Sequence, residues 1–255
     1  MIKKLKVTVM ALLAGVTMSF AQTADEIIAR HIDAIGGKEK LASLKSLKMK
    51  AMVDVGPNMK APMTLFIVNE KSLRLEFEMQ GLTMIQCIDG DSGWAIQPFG
   101  GKKEAERMDK ETIDQMKDEL YLTGSLYNYK EKGNIITLLG KEDMEGTDVF
   151  KLKVVKKNGD VETVFIDAGS YLKLKEISKH TFKDKEVQSE KVFSNYKKVD
   201  GLMIAFTVDD REVGAAQGQA VTFDTIEVNP KFESSLFKMP TTEGAILTPT
   251  SAEKK

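Results

Sequence analysis

The segment LRLEFEMQGLTMIQCIDGDSGWAIQPF, residues 73–99, decides the fold. Leu73, Leu75, Phe77 and Met79 point one way, and Arg74, Glu76 and Glu78 point the other. That alternation has the period of a strand with one wet face and one dry face. The run turns through Gly81 and repeats as Leu82–Ile88. It turns again through Asp89-Gly90-Asp91-Ser92-Gly93 and returns as Trp94–Phe99. Working outward, strands are expected over Leu47–Val55 and Met63–Val68 on the N-terminal side. On the C-terminal side they are expected over 134–139, 150–156, 161–167, 171–178, 186–197, 203–208 and 220–228. Asn158-Gly159 is the strongest hairpin signal in the chain, and Asp200-Gly201 marks another tight turn. The pattern predicts a mainly β chain built on a curved sheet that holds something apolar.

Two helical patterns flank these strands. Over Ala24–Ile35, Ile27, Ile28, Ile32 and Ile35 fall at helical spacing; Thr23 is placed to cap the helix and Gly36-Gly37 to end it. Lys110–Leu122 reads as a helix interrupting the sheet, with Asp109 as its cap and Ile113, Met116 and Leu120 along one side. Pro230–Phe237 reads as a terminal turn or short helix.

The N-terminus has the form of a secretory leader, Met1–Ala21. Lys3, Lys4 and Lys6 precede the apolar run Val7–Phe20, and Ser19-Phe20-Ala21 provides small residues for cleavage. The run is shorter than the roughly 20 residues a membrane span needs. The division expected is therefore a signal peptide over 1–21, one domain over 22–240, and a disordered polar tail over 241–255. The product would be soluble in the periplasm. Removing the leader removes three lysines and no acids, so the formal charge of −1 becomes −4. A mildly acidic surface of mixed sign argues against nucleic acid as a partner. Its lysines, interspersed with acids, read as a solvated sheet face.

No pattern of catalytic or metal-binding residues stands out. Cys87 is the lone cysteine, set in a strand pattern and read as a buried small hydrophobe. His31 lies on the apolar edge of the first helix and reads as a packed or boundary histidine; His180 reads as exposed. Two distant histidines and one cysteine make no zinc pattern. Asp209-Asp210 and Glu142-Asp143 read as solvated loop charges. No metal and no cofactor is expected, and the chain is read as a non-enzyme. Methionines crowd the N-terminal half of the sheet, at 49, 52, 59, 63, 79 and 84. They suit either a gap-filled core or a surface that accepts variable apolar guests.

The layout resembles the LolA/LolB-like superfamily of periplasmic lipoprotein carriers. The resemblance rests on the leader, the helix ending Ala34-Ile35-Gly36-Gly37, Asp89-Gly90 with Gly93-Trp94, the interrupting helix near Ile113–Leu120, and the ending from Asn229-Pro230 through Phe232 and Phe237 to Pro240. It implies an incomplete, strongly curved antiparallel β-barrel, a half-barrel with helices covering the concave face. It further implies a cavity wall formed by Leu65, Ile67, Leu75, Phe77, Met79, Met84, Trp94 and Ile96, and a lid formed by Ile28, Ile32, Met116 and Leu120. The expected partners are acyl chains of a lipid or lipoprotein, carried toward the outer membrane by a monomer that meets inner- and outer-membrane proteins. The chain departs from the lipoprotein carriers in the turn before the third strand. That turn reads Asn69-Glu70-Lys71-Ser72, without the arginine and proline of those carriers. A non-enzymatic envelope module that binds a protein partner is the alternative; a hydrolase using acidic loop residues is a third.

Overall fold

The computed structural model describes residues 22–182, 185–215 and 218–240. The expected leader and tail lie outside these residues. Among the described residues, thirteen antiparallel strands form one sheet. The first meander is β1 (Ser46–Gly56), β2 (Met59–Val68), β3 (Ser72–Met79), β4 (Leu82–Asp89), β5 (Ser92–Gln97) and β6 (Lys102–Arg107). The second is β7 (Ile135–Met144), β8 (Thr147–Val155), β9 (Val161–Asp167), β10 (Lys173–Phe182), β11 (Lys185–Val199), β12 (Leu202–Glu212) and β13 (Gln219–Val228). The two are joined by pairing of β1 with β13, so β6 and β7 are the two edges and the sheet is open. Tight turns with positive φ set the register: Gln80-Gly81, Glu145-Gly146 and Asp200-Gly201 each connect adjacent strands in two residues.

Helix α1 (Ala24–Ala34) forms as its sequence dictates. Thr23 Oγ1 accepts from the Glu26 amide at 3.2 Å while the Glu26 carboxylate accepts from the Thr23 amide at 2.9 Å, a reciprocal cap. At the other end the Gly37 amide reaches Ile32 O and the Gly36 amide reaches Asp33 O, closing a Schellman turn. A short helix α2 (Lys38–Ala42) follows.

The packing of α1 shows that the sheet curves. Ile27, Ile28 and Ile32 belong to one buried cluster that also holds Leu47 on β1 and Phe150 and Leu152 on β8. In a flat sheet, β1 and β8 stand six strand spacings apart, or about 29 Å. A single compact core under one helix about 10 Å wide takes in residues of both strands only if the sheet bends around it. The expected half-barrel with inward helices is therefore present.

The interrupting helix differs from its expected form. It is α-helical only over Lys110–Met116 (α3), capped by Asp109, and tightens into a 3₁₀ turn over Lys117–Leu120. Ile113 and Leu120 pack onto Ile67, Leu73 and Ile88. Gly93 permits this approach, since a Cβ there would stand 2.9 Å from Ile113 Cγ1. Residues 121–134 then cross the concavity, as they must to join opposite edges of the sheet.

Two strand features depart from the alternation. Strand β6, with sequence KKEAER, carries no dry face and had no signal in the hydrophobic pattern. It is an edge strand, where lysines and glutamates discourage pairing with another chain. Strand β10 begins at Lys173 rather than Tyr171, because Tyr171 has φ +59° and belongs to the preceding turn.

Candidate functional site

Strand register fixes which side chains share the concave face. Across the N-terminal meander, Met63 pairs with Phe77 and Phe77 with Met84; Leu65 pairs with Leu75, and Ile67 with Leu73. Paired residues share a face, so Leu65, Ile67, Leu75, Phe77, Met79 and Met84 form one continuous inner surface. Ile67 is buried beneath α3, whereas Leu65, Leu75, Phe77, Met79 and Met84 are half-buried. This part of the face is an apolar band left partly open.

Trp94 and Ile96, expected in the same wall, lie on the opposite face. Trp94 pairs with Cys87 and Ile96 with Ile85, and all four form a buried cluster with Phe237. The C-terminal segment covers this convex patch. Trp94 Nε1 donates to Phe237 O at 3.0 Å, and Arg74 Nη1 donates to Leu236 O at 2.9 Å. Phe66 meets Phe232 edge-on at 5.7 Å. Arg74, on the side of β3 that alternation marks as wet, is thus enclosed by the chain's own C-terminal segment. Cys87 is fully buried here, and burial pushes its thiol up to about 12, as suits a packing residue.

The expected lid residues divide in the same way. Ile28 and Ile32 of α1 are core residues beneath the C-terminal half of the sheet. Met116 and Leu120 pack with Ile67 and Leu75 over the apolar band.

A cavity of about 1200 Å³ lies under the C-terminal half of the concave face. One side is apolar, with Leu41 on α2, Leu44 in the connection that follows and Leu47 on β1, and Phe193, Val208 and Phe223 elsewhere on the sheet. Leu47 is the cross-strand partner of Ile67, so the cavity borders the apolar band of β2–β4. None of the eight expected wall residues lines this cavity itself.

The other side of the cavity is charged, which alternation did not reveal. Glu176 on β10 pairs in register with Lys191 on β11, and Lys191 with Asp210 on β12. Glu162 on β9 stands one step along the same face. These groups meet one another, Lys156 and Lys173, and Asp118 and Glu119 of the 3₁₀ turn. Lys156 Nζ lies 2.5 Å from Glu162 and 2.6 Å from Asp118; Lys191 Nζ lies 2.9 Å from Glu119; Lys173 Nζ lies 2.7 Å from Glu176. The lysines and acids of β8–β12 therefore do not all form a solvated sheet face; several are held inside. Asp210, read as a loop charge, is on the concave face, and burial raises its carboxyl above the usual range.

The inward charges are tuned by burial and by each other. Burial and the nearby Glu176 raise the Glu162 carboxyl. Burial opposes ionisation of Glu176 too, but Lys173 and Lys191 outweigh it and hold its carboxyl low. The Lys191 ammonium lowers Glu119, and Glu119 raises Lys191 in return. His31 lines the cavity where α1 faces it, with 7% exposure. Its Nδ1 lies 2.8 Å from Tyr171 O, so Nδ1 carries the proton, and burial lowers its pKa to about 4. His180 is half-buried at the cavity wall rather than exposed. Among the described residues, no three histidines, cysteines or carboxylates are grouped to hold a metal ion.

No protein-family model matches the sequence, and no curated protein matches it. Solved structures do match the fold. A LolA superfamily protein of Nitrosomonas europaea aligns at TM-score 0.56 and 10% identity, over 86% of this chain and 98% of its own. A DUF1329 family protein of Desulfovibrio piger aligns at TM-score 0.56 and 11% identity over the same shares. A domain of Vibrio parahaemolyticus, assigned to outer membrane lipoprotein sorting, aligns at 0.51 and 16%, over 83% of this chain and 94% of its own. At such identities the likeness speaks for architecture alone, and the architecture of this chain is LolA-like.

Proposed function

We propose that this protein is a periplasmic, non-enzymatic carrier that shields the acyl chains of a lipid or lipoprotein for transfer toward the outer membrane. One observation carries this reading: a cavity of about 1200 Å³ that borders a partly open apolar band on the same concave face. The volume exceeds that of pockets built for drug-sized ligands. Each methylene hidden from water gains about 0.8 kcal/mol, so a long chain is held without polar contacts to its tail. The leader read at residues 1–21 supports export, and the LolA-like fold supports the carrier role. Leu65, Ile67, Leu75, Phe77, Met79 and Met84 form the proposed wall, with Met116 and Leu120 as its cover. Ile28 and Ile32 anchor the other helix.

The test is native mass spectrometry of protein purified from the periplasm without detergent, followed by organic extraction. Bound phospholipid, fatty acid or acylated peptide is the expected result. A mass that stays that of the bare chain after incubation with lipid vesicles would refute the carrier reading. Phe77→Asp places a charge on the half-buried band and should abolish uptake while the fold persists; unchanged uptake would remove the band from the site.

A second reading rests on edge strand β7, where Ile135 and Leu139 are 66% and 52% exposed. Such an edge suits a protein partner that adds a strand, and a carrier needs partners at both membranes.

A further inference from the structure

The charged side of the cavity contains groups that the ion pairs do not satisfy. Six lysines and seven carboxylates line the cavity, a near balance that favours neither a purely anionic nor a purely cationic guest. Lys156, Lys173 and Lys191 are each engaged with carboxylates. Lys132 is not: among the described residues it makes no ion pair. Its Nζ donates to Gly124 O at 2.7 Å and to Thr123 Oγ1 at 3.3 Å, and it stands over the rings of Tyr121 and Tyr127 at 5.0 and 6.0 Å. An ammonium has three N–H donors, so one is unspent. Half-burial makes that charge costly, and Lys132 is pushed below the usual lysine range although the Glu70 and Glu162 carboxylates partly oppose the shift from a distance.

Two further polar atoms on the lining are buried without a partner among the described residues: Gln115 Nε2, a donor, and Glu162 Oε2, an acceptor. Glu162 is 5% exposed, and only its other oxygen meets Lys156. The Ser125 hydroxyl stands beside this carboxylate without satisfying Oε2. Buried polar atoms are ordinarily paired, and one left unpaired on a cavity wall is a place for a ligand atom. Glu162 is also close enough to act on the Lys132 ammonium, so these two groups belong to one locale, and Gln115 lines the same cavity.

We propose that this end of the cavity receives a zwitterionic head group, its anion at Lys132 and Gln115 and its N–H donors at Glu162 Oε2. A head group with only an anion would leave Glu162 Oε2 unpaired and place negative charge beside a carboxylate. One with only a cation would crowd Lys132. A quaternary ammonium balances the charge but has no N–H to donate, so it too leaves Oε2 unpaired. A primary ammonium linked to a phosphate meets all three requirements, with the acyl chain running along the apolar side. This assignment rests on the carrier reading and names the head group that such a carrier would select.

The test is calorimetric titration of the delipidated protein with lauroyl lysolipids that differ only in the head group. Phosphoethanolamine, phosphocholine and phosphoglycerol are compared, with laurate as a control. A hydrogen bond to a buried charged group supports about tenfold or more in affinity. The phosphoethanolamine lipid should therefore bind about tenfold more tightly than the other two. Glu162→Gln should bring the ethanolamine and choline lipids to within about twofold of each other, and Lys132→Gln should weaken all three phosphate lipids. Equal affinity for the ethanolamine and choline lipids in the unaltered protein would overturn the assignment while leaving the carrier intact. Failure to bind any lysolipid or laurate would overturn both. The head-group series on the unaltered chain decides the matter even where a variant does not fold.

Discussion

The two halves of the concave face bury different chemistry. On β2–β4 it is apolar and loosely covered, with Met63, Leu65, Leu75, Phe77 and Met84 half-buried along one register. On β8–β12 it carries a packed core toward α1 and a ladder of buried charges beyond it. An apolar half-buried surface costs little to expose and gains when a guest covers it. A buried charge ladder is stable only while every member keeps its partners. The first arrangement suits a surface that changes occupants, the second one that holds its geometry. Variants on either half should therefore fail differently.

The largest stability effect should come from Lys156→Met. Among the described residues Lys156 is the ion-pair partner of both Glu162 and Asp118, and its side chain is 17% exposed against 7% for Glu162. Removing one member of a buried pair typically costs about 3–5 kcal/mol, because the other charge stays behind. Urea unfolding should show a loss of that size, and a second change, Glu162→Met, should recover a good part of it. A loss below about 1 kcal/mol would mean that water already reaches the ladder.

His31 tests the same half by titration. Its folded pKa of about 4 lies below the ordinary value of 6.5, so the unfolded chain takes up a proton first as pH falls. Stability is unaffected above pH 6.5 and declines between 6.5 and about 4. The loss attributable to this residue reaches roughly 3 kcal/mol at the low end. His31→Gln should flatten the difference in unfolding free energy across that window. An unchanged slope would assign acid sensitivity to the carboxylates instead.

The sequence made some of this legible and hid the rest for physical reasons. The cap at Thr23, the glycine stop at Gly36-Gly37 and the hairpin turns are local chemistry, and each is where its residues place it. The one-sided apolar runs of β3 and β4 made the open band visible. Trp94 and Ile96 share the apolar character of the band but not its face, because a face depends on cross-strand partners: Trp94 stands opposite Cys87 and Gly93 opposite Ile88. The charge ladder was hidden more deeply. Glu162, Glu176, Lys191 and Asp210 each look solvated in their own strand. Only the closure of β1 on β13 and the return of Asp118 and Glu119 across the concavity enclose them. Strand β6 had no hydrophobic period to find.

The smallest stability effect should come from the apolar band, and it is the most informative about use. Met84 is half-buried and belongs to none of the three packed clusters, unlike Ile88 four residues further along the same face, which is fully buried against Ile113. Truncation in a tight core loses both transfer energy and cavity energy. At Met84 the neighbours are partly open, so Met84→Ala should cost under about 1 kcal/mol, within the range of changes away from packed features. Lipid uptake should nevertheless fall several-fold, because the removed side chain is surface that a guest would cover. Ile88→Ala should show the reverse, a loss of about 2–5 kcal/mol with uptake preserved in the molecules that remain folded. If both variants lost stability equally and neither lost uptake, the band would be core rather than binding surface, and guests would have to enter the charged half alone.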